Sequence, residues 1–93
     1  NSIYLDPPEV PCGGGGLVSS PRDYDRFQRM LLGYGTIAGK FVMSEEAVRV
    51  GTSNLIPATV DLTGSWMAGE GHGAGGRSKG ATFGWGGAAG TLA

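Results

Sequence analysis

Ten glycines crowd into residues 69–90 of a 93-residue chain, and they limit what the sequence can build more than any other feature. Glycine loses more conformational freedom on folding than any other residue and has no side chain to bury. A stretch this rich in it supports no helix. It suits turns, and extended backbone that another group approaches closely. Of the other nine glycines, four stand together at residues 13–16 and five are scattered from residue 33 to residue 64, giving 19 in all. That is one residue in five against a norm near ~7%. The spacing lacks a strict three-residue repeat, which excludes collagen. Ordering so much glycine is costly, and the apolar side chains available to offset it are few. The expectation is a section of a larger body.

Charge and cysteine content narrow the function classes. Lys and Arg total 7 and Asp and Glu total 8, so the net charge of −1 argues against an electrostatic nucleic-acid binder. A single cysteine, Cys12, allows no disulfide within the chain and no cysteine-based zinc site. No apolar run approaches the ~18 residues of a membrane span. The opening Asn1-Ser2-Ile3-Tyr4-Leu5-Asp6 lacks the basic start of a signal peptide. Together these point to a reducing cytoplasm.

Three regions follow from the glycine distribution. Residues 1–16 read as a loop, punctuated by Pro7, Pro8 and Pro11 and ending in the glycine run. Residues 17–62 read as the helical part. Ser20 is a good N-cap, Pro21 suits the first helical position, and Asp23 sits where free N–H groups meet a carboxylate. Tyr24, Phe27, Met30 and Leu31 then share one face, and Gly33 supplies the stop. A shorter helix begins at Ser44, with Glu45 and Glu46 in its first turn, Met43 and Val48 at staple spacing, and Gly51 at its end. Tyr34 to Val42 reads as a turn or short extended segment, and Thr52 to Leu62 as irregular. Residues 63–93 read as glycine-rich strands, with extended steps at Ser65-Trp66-Met67 and Ala81-Thr82-Phe83-Gly84-Trp85, and with Thr91-Leu92-Ala93 inside a final strand. The fold class is α+β.

Several patterns invite chemistry. Gly71-x-Gly73-x-x-Gly76 fits the dinucleotide fingerprint as a bare string, but no buried strand precedes it and no helix follows. The run at residues 13–16 is followed by no Gly-Lys-Ser/Thr. Cys12 and His72 form a nucleophile–base pair only if the fold brings them together, and a loop cysteine lacks a helix N-terminus to activate it. Glu70 is the one carboxylate near His72, too little for a metal site. Gly84-Trp85-Gly86-Gly87-Ala88-Ala89-Gly90-Thr91 stands apart: an aromatic flanked by residues too small to cover it, on backbone left accessible. Main-chain N–H groups that must reach a substrate oxygen need such a setting, and a strand packed tightly against a helix produces the same composition.

Three strings resemble one family in its own order. Gly13-Gly14-Gly15-Gly16-Leu17-Val18-Ser19-Ser20, with Asp23-Tyr24 and Arg26-Phe27-Gln28-Arg29-Met30-Leu31-Leu32, is similar to a segment of the serine hydrolases of the β-lactamase and penicillin-binding-protein superfamily. The class C-like and family VIII esterase-like members are nearest. Val42-Met43-Ser44 resembles their next element, and Phe83-Gly84-Trp85-Gly86-Gly87-Ala88-Ala89-Gly90-Thr91 resembles their third active-site box.

The resemblance implies a β-lactamase-like α+β fold, incomplete here, in which residues 71–77 form the strand before the box. It implies that Trp85, Gly86 and Gly87 line the substrate and that the backbone N–H of Ala88 is an oxyanion-hole donor. Trp85 in place of the family's lysine removes the cation that holds a β-lactam carboxylate, which favours a small acyl ester or another uncharged acyl substrate over a β-lactam, the other substrate class that the resemblance implies. It implies no cofactor. The family's Ser-x-x-Lys nucleophile motif has no counterpart: Ser19-Ser20-Pro21-Arg22 ends in arginine, Lys40 follows Ile37-Ala38-Gly39, and Lys79 follows Gly76-Arg77-Ser78. The second box, Tyr-x-Asn or Ser-x-Asn, is missing as well. The implied partner is therefore the remainder of the hydrolase chain, and the 93 residues alone are expected to be inactive. A catalytically inactive binding or assembly module on the same scaffold is the alternative, and an independent small domain a third. The interval from Arg77 to Gly80 is also tighter than two paired strands of that family would need.

Overall fold

The computed structural model describes residues 5–7, 9–10, 12–14 and 17–87. The sequence-predicted oxyanion donor Ala88 and the final strand at Thr91-Leu92-Ala93 lie outside the described residues. Two helices, α1 (Pro21–Leu32) and α2 (Glu45–Thr52), flank a hairpin of β1 (Thr36–Ile37) and β2 (Lys40–Phe41). A second sheet follows, made of β3 (Gly71–His72), β4 (Arg77–Lys79) and β5 (Thr82–Gly84), antiparallel throughout in the order β3-β4-β5. The fold is α+β. No helix among the described residues is long and apolar enough to cross a membrane.

The start of α1 follows its sequence signals. Ser20 Oγ accepts from the Asp23 N–H at 3.1 Å and donates to the Asp23 carboxylate at 2.9 Å, and Pro21 occupies the first turn. The helix ends in a Schellman motif. Gly35 N–H donates to the Met30 carbonyl at 2.9 Å, and Tyr34 N–H to that of Leu31 at 3.0 Å. Gly33 is the C-cap, with φ −83°, and the left-handed step falls one residue later, on Tyr34 at φ +51°. Gly35, at φ +92°, is buried, and a Cβ there would collide with the Met43 carbonyl oxygen. Its own carbonyl accepts from Val42 and Met43, at 2.8 and 3.2 Å, so the chain leaving β2 is bonded to the end of α1.

The segment between the helices is a tight hairpin. Thr36 pairs with Phe41 and Ile37 with Lys40, leaving Ala38 and Gly39 as a two-residue loop with φ of +47° and +72°. Two positive φ values define the type I′ geometry that matches strand twist. The second helix is capped as expected, with Ser44 Oγ accepting from Ala47 N–H at 3.1 Å and Val48 buried. It runs one residue past the expected stop. Gly51 lies inside the last turn, and the cap is Ser53, whose N–H donates to Val50.

Two extended readings are corrected. Ser65-Trp66-Met67 lies in a succession of turns. Ser65 donates to Leu62, Ala68 to Ser65 and Glu70 to Met67, each near 3 Å, and Gly64 and Gly69 supply positive φ. Residues 71–77 are two strands rather than one, because Gly73 N–H folds back onto the Gly76 carbonyl at 2.8 Å and Gly75 takes φ +90°. The tight interval after Arg77 is the β4–β5 hairpin, in which Lys79 pairs with Thr82 across a Gly80-Ala81 loop, with Gly80 at φ +57°.

The core is thin. Met30 and Val48 are the buried apolar side chains among the described residues, each contributing about 1.5–3 kcal/mol. Around them Phe27, Leu31, Met43 and Phe83 border an apolar cavity of about 190 Å³ between the helices and the sheet. Leu17, Leu32, Phe41 and Trp66 are all at least 70% exposed, so much of the apolar surface has no cover among the described residues.

Ala38 occupies a left-handed position that costs an L-residue roughly 1–2 kcal/mol. Ala38→Asn or Ala38→Gly is expected to raise stability by about 0.5–1 kcal/mol. A urea unfolding curve checks this. An unchanged midpoint for both variants would mean that the hairpin does not use this turn.

Candidate functional site

The glycines of the third region are fixed by close approach. A Cβ on Gly71 would overlap the Asn54 side chain, and one on Gly73 would strike the carbonyl oxygens of Gly51 and Ser53. One on Gly76 would lie 2.7 Å from the Phe83 ring. The backbone of Ala74 donates to Gly51 at 2.7 Å, which docks the β3–β4 turn on the carboxyl end of α2. The dinucleotide-like spacing is therefore a packing pattern, with three small residues where backbone meets backbone, Asn54 or an aromatic ring.

Asn54 positions the outer strand. Its Oδ1 accepts from Ile56 N–H at 3.0 Å, closing a local turn, and from His72 N–H at 3.1 Å. Leu55 N–H returns a bond to the His72 carbonyl at 2.9 Å. This fixes β3, and β3 sets β4 through the pairs Gly71 with Ser78 and His72 with Arg77. Side chains directly opposite in an antiparallel ladder share a face. Ser78 and Phe83 are thus on one face, while His72 and Arg77 are on the other.

Strict alternation after Phe83 would place Trp85 beside it. The indole instead sits over the opposite face, 5.5 Å from the His72 ring and 6.2 Å from that of Trp66, edge-on to both. The Arg77 guanidinium lies 5.7 Å from the Trp66 ring centroid and 5.9 Å from that of Trp85. It donates to Glu70 at 3.0 Å, and Lys79 Nζ approaches the other oxygen of that carboxylate at 3.7 Å. The His72 Nδ1 lies 2.7 Å from the Gly73 carbonyl oxygen. A carbonyl only accepts, so Nδ1 carries the proton and a neutral ring keeps its free lone pair on Nε2.

The sequence-predicted residues fall unevenly on this cluster. Trp85 belongs to it and stays 42% exposed. Gly86 is half-buried and Gly87 exposed, so the backbone after β5 carries no side-chain cover of its own. Ala88 lies outside the described residues. Cys12 is exposed, and among the described residues no hydrogen bond joins it to the His72 ring, whose Nδ1 meets the Gly73 carbonyl. No group of three or more metal-binding side chains is present among the described residues. Sequence reasoning missed Glu70, Arg77, Lys79 and Trp66 as a set. The i, i+2 spacing of Arg77 and Lys79 on a strand was a usable signal, since it puts two cations on one face.

Comparison with known proteins adds a limited likeness. The chain is 51% identical over 47 residues to Uncharacterized protein MT1414 of Mycobacterium tuberculosis (strain CDC 1551 / Oshkosh). It has the same identity to Protein Rv1367c of M. tuberculosis (strain ATCC 25618 / H37Rv). The match takes in 50% of this chain and 12% of each curated relative, so the chain spans a small part of their length. No family model matches, and no solved structure does.

Packing at Gly73 is backbone against backbone, which cannot yield as a flexible side chain can. Gly73→Ala is expected to destabilise by about 1–3 kcal/mol, as overpacking does. Gly13→Ala, where a Cβ meets nothing within 4 Å, is expected to stay within about 0.5 kcal/mol of the parent. Parallel thermal unfolding of the two variants checks the contrast, and equal behaviour would refute the docking role of Gly73.

Proposed function

We propose that this chain is a section of a serine hydrolase of the β-lactamase and penicillin-binding-protein type, acting on an ester or another uncharged acyl group. One observation carries the reading. The edge strand β5 leads into Trp85-Gly86-Gly87, where neither glycine has a side chain to bar a substrate from the strand, on an antiparallel sheet whose β3–β4 turn is docked on α2. In acyl transfer a serine oxygen attacks the ester carbonyl, the alcohol leaves, and water then releases the acid. The negative charge on the carbonyl oxygen needs N–H donors already in place. In this reading the Ala88 N–H is one donor, and Gly86 and Gly87 admit the substrate to the strand.

The nucleophile and its base come from the rest of the hydrolase, which is the partner. The relatives, of which the match covers 12%, leave ample chain for both. The reaction needs no cofactor. We place the protein in the cytoplasm, where the single exposed Cys12 stays reduced.

A fluorophosphonate probe, which esterifies activated serines, tests the proposal together with p-nitrophenyl butyrate turnover. The 93-residue chain is expected to remain unlabelled and to give no turnover above buffer, while the two longer mycobacterial proteins are labelled. Labelling of the short chain would place a nucleophile inside it. Failure to label either longer protein would favour an inactive binding or assembly module.

A further inference from the structure

A second pocket, of about 310 Å³, lies along β4 and β5. Glu70, Arg77, Lys79, Thr82, Gly84 and Trp85 are among its lining residues. Its volume lies at the small end of the range for ligand sites, about 300–1,000 Å³. Three charges face it, two positive and one negative. Arg77 takes the Glu70 carboxylate at 3.0 Å and is further held by the two indoles. Lys79 is differently placed. Its ammonium stands 3.7 Å from Glu70, beyond a good hydrogen bond, and its side chain is 67% exposed. The surplus positive charge of the cluster therefore resides on a long, largely exposed side chain that lines the pocket. Beside it the Trp85 indole offers a broad apolar wall.

We propose that this pocket binds a small carboxylate with a flat apolar body, the anion pairing with Lys79 and the body lying against Trp85. Each half of the ligand meets a group suited to it. A carboxylate gains a charge-assisted bond that Glu70 leaves largely unmade. A planar apolar body buries area against the indole in offset or edge-on contact. A neutral molecule of the same shape gains only the second. A bare inorganic anion gains only the first, and Glu70 opposes it. Arg77 is a positioning residue here: through Glu70 and the two rings it sets the wall against which the ligand rests. The pocket shares Trp85 with the proposed acyl site but draws its cation from Lys79 and needs no nucleophile, so a failure of benzoate binding and a failure of serine labelling are distinguishable.

Benzoate is the probe, with benzamide as its uncharged counterpart. In the full 93-residue chain carrying Trp66→Phe, Trp85 is the sole tryptophan and its emission reports the pocket. Sodium benzoate is expected to change that emission saturably. Affinity is expected to fall about tenfold or more for benzamide, and for benzoate with Lys79→Gln added, while Lys79→Arg retains most of it. Saturation-transfer NMR of benzoate with the unsubstituted chain reads the same binding without the Trp66 change. Equal affinity for benzoate and benzamide, an unaltered response in Lys79→Gln, or no saturable signal by either method would overturn the proposal.

Discussion

The arrangement depends on one backbone contact, where the β3–β4 turn meets the carboxyl end of α2. Ala74 N–H donates to the Gly51 carbonyl at 2.7 Å, and Gly73 comes so close to the same oxygen that no side chain fits. A helix normally leaves its last carbonyls to a cap or to water. Here one of them is used to seat a sheet. Once the turn is seated, Asn54 can reach His72, β3 is fixed, and the β4–β5 hairpin follows from pairing alone. Phe83 then closes over Gly76 on the helix side, and the charged and aromatic residues are left on the other. The division of the sheet into an apolar face and a polar-aromatic face is thus a consequence of where two glycines permit contact.

What could be read from the sequence was local. The caps at Ser20 and Ser44 declare themselves because a side-chain oxygen meets an N–H three residues away, and nothing distant is needed. The terminal glycines were less legible. Gly33 and Gly51 both mark the region of a helix end, yet Tyr34 takes the left-handed step and Gly51 stays helical to receive Ala74. Those choices depend on Met43 and on the β3–β4 turn, which are distant in sequence. The third region was legible as backbone held close to something, but not as to what it was held against. Ser65-Trp66-Met67 has strand-forming residues, and neighbouring glycines with positive φ overrule them.

The candidate site divides along the same line. Trp85 could be singled out because its neighbours are too small to hide it, a property of adjacent residues. Its escape from strand alternation onto the face of His72 and Arg77 could not, since it depends on where the ladder ends. In the sequence Glu70 stands out only as the carboxylate near His72. Its pairing with Arg77 and approach by Lys79 arise from a turn that brings residue 70 alongside the second strand.

The elbow between the helices has a mechanical meaning. The Schellman motif fixes the exit from α1, the buried Gly35 carbonyl holds Val42 and Met43, and the very next residue is the cap of α2. The hairpin between them is thereby excised from the load path, a loop hung on a joint that is already closed. The Arg49 guanidinium of α2 also lies over the ring of Tyr34, just past the end of α1, 4.3 Å from its centroid. The two helices are thus tied together at one elbow, while the sheet is joined to α2 through the separate seat at Gly51.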